Sequence, residues 1–251
     1  MNTTVTALIV FGCLVGVVLL GRALRRFLPE DHLTADSRDT IKLAMGLVAT
    51  MTALVLGLLV SSVKGAYDVE RSEVIQMAAK VTFLGRVLAA YGPEAAGVRA
   101  QLRDNVEEGI RQIWPGEMRR PTQLTPNVQA GNMVYIAIHA LSPHNDMQSV
   151  LKTQAATLAL DVAQIRSLLA AQSVPSVSKL MLIILVSWLV VIFLGFSVLA
   201  PSNATAILAL MVSALAVSGA IFLILELDEP FGGLIGISSE PMLNALSQLA
   251  K

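Results

Sequence analysis

Three carboxylates stand together where the last long apolar run of the chain ends, in the segment Glu226, Leu227, Asp228, Glu229, Pro230, Phe231, Gly232 and Gly233. Acidic side chains at a helix C-terminus oppose its macrodipole at about a few tenths of a kcal/mol each, so Glu226, Asp228 and Glu229 call for a role. In an oligomer they would form an acidic ring that attracts cations, or hold a hard cation such as Ca²⁺ through oxygen ligands. Plain solvation of the helix end is the alternative.

A stripe of small residues is the second candidate. Gly46, Thr50, Ala53, Gly57 and Ser61 are spaced four, three, four and four apart, which places them on one face of a helix otherwise rich in Leu and Val. Small residues let membrane helices approach closely, so the stripe is either a packing seam or the wall of a narrow pore. In a pore, identical stripes from several subunits would present hydroxyls and backbone to a water-filled axis. Ala209, Ser213, Ala216 and Ala220 make a comparable stripe later in the chain, for which packing is a sufficient reading.

Catalytic constellations are absent from the sequence. His139, His144 and Asp146 cluster around Pro143, but no HExxH, paired cysteines or Gly-rich phosphate loop accompanies them, so the pair reads as surface histidines. Cys13 is the only cysteine and lies inside an apolar run, where it serves as a small packing residue. Neither a cofactor nor a metal is expected, and the chain does not read as an enzyme. With 18 basic and 18 acidic side chains the formal charge is zero, which gives no attraction to nucleic acid.

The elements that must position these residues are membrane helices. Four apolar runs, Val5 to Leu20, Ile41 to Val63, Leu180 to Ala200 and Ala204 to Leu225, hold no Asp, Glu, Lys, Arg or His in their interiors, Lys42 standing at the edge of the second. At about 1.5 Å per residue such runs suffice to cross a hydrocarbon core about 30 Å thick. Arg22, Arg25 and Arg26 follow the first run and no basic residue precedes it, so it reads as a retained span and not as a signal peptide. Uncharged spans disfavour a proton-coupled carrier, which places ionisable groups inside the membrane; passive permeation needs none.

The expected fold is all-α: a polytopic membrane protein of four transmembrane helices, with a helical extramembrane bundle between spans two and three. Residues 1–64 form the first helix pair, 65–178 the extramembrane domain, 179–226 the second pair, and 227–251 a C-terminal tail. A charged linker, Arg22 to Lys42, joins the first pair, whereas a few residues around Pro201, Ser202 and Asn203 make spans three and four a tight hairpin.

Span two continues past the membrane, because Val74, Met77, Val81, Leu84, Leu88 and Tyr91 recur every three or four residues up to Gly92 and Pro93. Val98, Leu102, Val106, Ile110 and Ile113 predict a second helix ending near Trp114, with Trp114 as a core anchor; Trp188 reads as an aromatic at the lipid or between helices. Residues 116–129 read as an irregular connector, followed by a short helix over 130–141. Met147, Val150, Leu151, Leu158, Val162, Ile165 and Leu169 mark a long helix that stops near Pro175.

Several of these pieces, in order, resemble the bacterial bestrophin-like domain family of four-span membrane proteins. They are Pro29, Glu30, Asp31 and His32; the run from Gly46 to Val60; Tyr67 and Asp68 with Arg71 to Val74; Trp114 and Pro115; and Leu227 to Gly233 with Ile237 and Ser238. The resemblance implies kinship to bestrophins, ring-shaped ion channels whose second span lines the pore. The carried-over pore wall falls on Gly46, Thr50, Ala53, Gly57 and Ser61. It also implies termini and helical domain in the cytoplasm, whereas the positive-inside rule applied to Arg22, Arg25 and Arg26 places the amino terminus outside.

The expected function is an oligomeric passive ion channel or channel-like protein, multi-pass in the bacterial inner membrane, whose partners are lipid, ions and further copies of itself. The alternative is a non-conducting scaffold or regulator whose helical domain binds a partner.

Overall fold

The structure is a computed structural model that describes residues 3–27, 35–114, 128–172, 177–201 and 203–249. Its described elements are all helical: α1 (Thr3–Arg25), α2 (Ala35–Tyr91), α3 (Ala96–Ile113), α4 (Val128–His139), α5 (Asp146–Gln172), α6 (Lys179–Leu199), α7 (Ala204–Leu227) and α8 (Glu240–Leu249). Four of them, α1, α2, α6 and α7, are long and apolar enough to cross a membrane. The chain forms two compact units. The first is Met1–Ala66, Pro175–Glu229 and Gly233–Ile235; the second is Tyr67–Val174, Pro230–Gly232 and Gly236–Lys251.

In the first unit α1 is the helix against which α6 and α7 both pack. Its buried face, Thr3, Thr6, Val10, Leu14, Val18 and Gly21, repeats every three or four residues, as a helix wedged between neighbours requires. Close approach comes from small residues. A Cβ on Gly21 would lie 2.7 Å from Cβ of Ser197, and the Ser197 hydroxyl donates to the Val18 carbonyl at 2.5 Å. A Cβ on Gly195 would likewise lie 2.4 Å from the sulfur of Met45, the point at which α2 leans on α6. At the ends, the Asn203 side chain accepts from the Ala206 amide at 3.0 Å and caps α7, while the Arg25 guanidinium donates to the Ala200 carbonyl that closes α6.

The second unit is a helical bundle with its own core. From α2 it takes Val74, Met77, Val81, Leu84, Leu88 and Tyr91, from α3 Val98, Leu102, Val106 and Ile110, all buried as their spacing predicts. The 57-residue α2 is roughly 85 Å long at 1.5 Å per residue, far more than a membrane core requires. It stops where Gly92 adopts φ 125° and Pro93 follows, and the Gln148 side-chain amide donates to the freed Tyr91 carbonyl at 2.9 Å. Lys152 closes α4 in the same way, donating to the carbonyls of His139 and Leu141 at 2.7 Å each. Burial pushes the Tyr91 phenol up from its ordinary pKa, with Glu94 adding to the effect.

Several expectations are corrected. Helix α1 runs to Arg25 and α2 begins at Ala35, so the ends of the charged linker are helical; Pro29, Glu30, Asp31 and His32 lie outside the described residues. Most of the connector does too, but its last two positions, Val128 and Gln129, already belong to α4. Cys13 is exposed instead of packed. On α5 the buried seam is Ala155, Ala159, Ile165 and Leu169, while Met147 and Val150 face outward, because alanines allow α5 to sit close where larger side chains would not. The tail, to which no element was assigned, carries α8, whose Met242, Ala245 and Leu249 join the core of the second unit. Gly85 receives Leu249 so closely that a Cβ there would lie 2.2 Å from Cδ2.

Candidate functional site

The side of α2 buried in the first unit is Met45, Thr52, Leu59 and Val63, one residue per turn or two. At about 100° per residue the stripe at Gly46, Thr50, Ala53, Gly57 and Ser61 is centred about 135° around the helix from this face. All five stripe residues are exposed in the chain. Among the described residues no atom outside the helix lies within 4 Å of a Cβ built on Gly46 or Gly57, so neither glycine makes room for another of the described elements. The stripe therefore is not a packing seam within the protomer; Gly21, Gly195 and Ser197 perform that task. It faces something outside the chain: lipid, water or another copy. The Thr50 hydroxyl donates to the Leu47 carbonyl at 2.8 Å, which leaves its oxygen lone pairs pointed outward as acceptors.

Exposed Leu43, Leu47, Met51, Leu54 and Leu58 lie along one side of the stripe, so the uncovered surface of α2 is divided into a narrow small-residue strip and a broader apolar one. Where α2 approaches α6, Val55 joins Leu180, Met181, Ile184 and Trp188 around a cavity of about 210 Å³, and Trp188 is thereby interhelical. The outward stripe on α7 behaves like that of α2. Ala209, Ser213 and Ala216 are exposed, and the face that packs is Ala214, Ser218, Ile221 and Ile224.

The acidic turn has a different geometry from a ring of like carboxylates. Glu226 is only 1% exposed. One carboxylate oxygen accepts from the amides of Leu234 at 2.6 Å and Ile235 at 3.4 Å, and the other accepts from the Thr3 hydroxyl. Gly233, at φ 78°, permits this approach, since a Cβ there would lie 2.3 Å from that first oxygen. Glu226 is thus an internal hydrogen-bond acceptor that fastens the amino terminus of α1 and the loop at 233–235 to the end of α7. Asp228 accepts from the Val177 amide at 3.2 Å, ahead of α6. Glu229 alone of the three is exposed. Among the described residues no three His, Cys, Asp or Glu gather as a metal set.

In the second unit Trp114 closes α3, its amide donating to Ile110 and its indole Nε1 donating to the Ile237 carbonyl at 2.7 Å. Its ring meets Phe231 edge to face at 5.7 Å, and the Ile237 amide donates to the Pro230 carbonyl at 2.7 Å. The Phe231 ring of the Pro230 to Gly232 turn is therefore packed, half-buried, against the bundle core. A cavity of about 70 Å³ lies behind Trp114, bordered by Met77, Leu84, Leu102, Ile110, Met242 and the Arg166 side chain. Burial lowers the Arg166 guanidinium pKa and Glu108 partly offsets this, with Gln112 accepting from Arg166 at 3.3 Å. His139 meets Tyr135 edge to face at 4.4 Å, and the His144 backbone amide donates to the Gln148 side chain at 2.7 Å.

Sequence reasoning missed Thr3 as the partner of Glu226 and Gly21 with Ser197 as the true packing seam. A threonine among the first residues gives no signal of its own. Gly21 lay at the edge of the first apolar run, one residue beyond its last leucine.

A family model described as the Bestrophin-like domain matches residues 12–242. Two crystal structures of variants of a bacterial Bestrophin homolog from Klebsiella pneumoniae superpose on the chain. One has a TM-score of 0.74 at 14% identity, covering 98% of each chain. The other has a TM-score of 0.73 at 12% identity, covering 97% of each chain. A structure described as a membrane protein variant matches with a TM-score of 0.73 at 13% identity, over 97% of each chain. At such identities the superpositions speak for the fold alone. No curated protein matches the sequence.

Proposed function

The chain belongs to the bestrophin-like family, and from that premise we propose that copies of it assemble into a passive ion channel of the bacterial inner membrane, with α2 lining the pore. The observation that carries this reading is the outward stripe of Gly46, Thr50, Ala53, Gly57 and Ser61, which the protomer leaves uncovered on a side of α2 turned away from its own helices. In a ring, that side meets an axis shared by all copies. Small side chains keep the axis open, and threonine and serine oxygens with exposed backbone replace part of an ion's hydration shell. The middle of each span holds no Asp, Glu, Lys, Arg or His, and the ionisable groups stand at the span ends, in keeping with flow down a gradient.

Glu229, exposed at the end of α7, is the member of the acidic turn suited to an outward ring that concentrates cations; Glu226 and Asp228 act through the backbone amides they hold. The test is ion flux through purified protein in liposomes or planar bilayers. Wild type conducts, and Thr50→Trp or Gly57→Trp, which fill the axis without touching the protomer's packing, abolish or sharply reduce conductance. A wild type that never conducts favours the scaffold reading, in which the outward Met133, Ile136, Met147 and Val150 of α4 and α5 bind a partner protein.

A further inference from the structure

We propose that the end of α1 is a docking site for an anionic phospholipid, with Arg22 and Arg26 clasping its headgroup phosphate. Arg22 lies in the last turn of α1 and Arg26 in the turn that follows it, where the Arg26 amide donates to the Ala23 carbonyl at 3.1 Å, so Leu19, Arg22 and Arg26 keep spacings of three and four at the end of the helix. Among the described residues neither meets a carboxylate, whereas Lys42, Lys80 and Arg111 pair with Asp39, Asp161 and Glu107. Arg25 between them is already engaged. Its guanidinium donates to the Ala200 carbonyl, and that bond sets the turn into α7 beside the end of α1. The first turn of α7 contains no acidic residue, so the positive end of its macrodipole adds to the field of the arginines.

The apolar surroundings specify a lipid and not a free anion. Leu19 and Leu20 are exposed on the apolar-run side of the arginines and Leu24 is exposed between them, and Phe27 just beyond is 83% exposed. A phosphodiester oxygen pair matches a guanidinium fork, and acyl chains cover the leucines and Phe27 in one continuous contact. A zwitterionic headgroup offers the same phosphate with a compensating cation attached. Charge at this site therefore selects for net negative lipids such as phosphatidylglycerol.

The test uses the full chain in neutral detergent, with binding of phosphatidylglycerol and phosphatidylcholine followed by native mass spectrometry. Wild type is expected to bind phosphatidylglycerol about tenfold more tightly than phosphatidylcholine, the preference shrinking as salt rises. The R22Q/R26Q variant loses that preference while R22K/R26K keeps most of it; if R22Q/R26Q does not fold, R26Q alone, at an exposed position, shows a smaller loss in the same direction. Equal affinity for the two lipids, or unchanged phosphatidylglycerol binding by R22Q/R26Q or R26Q, overturns the proposal. Displacement of the lipid by millimolar inorganic phosphate also overturns it, by making the site one for a free anion. Because the readout is lipid binding, the result is independent of whether α2 conducts ions.

Discussion

Helix α2 is two helices in environment although one in backbone. In the second unit, Val74 to Tyr91 present a continuous buried face to α3 and α8 with Val74 and Leu88 wholly covered. In the first unit, the stretch from Ile41 to Val63 buries only Met45, Thr52, Leu59 and Val63 and leaves Leu43, Leu47, Leu54 and Leu58 more than half exposed. Water forces the first arrangement, because an uncovered leucine there forfeits hydrophobic stabilisation. Lipid permits the second, since hydrocarbon is as good a neighbour for leucine as protein is. Exposed leucine on α2 is thus unremarkable in the membrane, whereas exposed glycine, threonine and serine aligned along one face set that face apart.

The comparison breaks first where the bundle core is opened. Leu88→Ala should destabilise the second unit by about 2–5 kcal/mol, the range for a buried leucine, seen as a lower midpoint in chemical or thermal unfolding. Leu54→Ala on the uncovered half should leave that midpoint within about 0.5 kcal/mol of wild type. Equal effects would erase the distinction between the halves.

The next contrast sets two glycines of the membrane unit against each other. Gly21→Val drives a side chain into Ser197 and should cost about 1–3 kcal/mol of stability, measured as earlier thermal aggregation in detergent. Gly57→Val meets nothing within the protomer and should fold normally, its consequence confined to ion flux. A destabilised Gly57→Val would mean that the stripe packs inside the molecule.

Smaller effects sharpen the picture at the acidic turn. Glu226→Gln leaves a single carboxamide oxygen to serve both the Leu234 amide and the Thr3 hydroxyl, and the weakened buried pairing should cost the fold about 1–3 kcal/mol. Faster hydrogen exchange at Leu234 and Ile235 is the local sign of that loss. Trp114→Phe keeps the ring against Phe231 but removes the bond to Ile237, at about 0.5–1.5 kcal/mol, with α8 retained.

The same two environments explain what could be read from the sequence. In the bundle, apolar spacing marked Val74 through Tyr91 and Val98 through Ile110 correctly, because water makes periodicity and burial coincide. In the membrane the spans were legible from length, but which face of each one packs was not, because every face is apolar. The stripe on α2 could be found by spacing yet not assigned to packing or to an outside surface until the positions of Gly195 and Gly21 were known. Met147 and Val150 fit a helical pattern but stand outside the core, since Ala155 and Ala159 decide how α5 approaches. The acidic turn looked like one cluster of charge in sequence, and its three carboxylates have three different surroundings because a loop amide pair, a helix-start amide and solvent each claim one.

The most direct test of the central claim is thiol accessibility along α2 in assembled protein in membranes, on a Cys13→Ser background that removes the exposed native cysteine. Single cysteines at Thr50 and Ser61 should react with membrane-impermeant hydrophilic thiol reagents, while a cysteine at Leu59, on the buried face, should not. Silence at Thr50 and Ser61 from both sides of the membrane would contradict a water-bordered stripe and leave α2 facing lipid or a dry interface between copies.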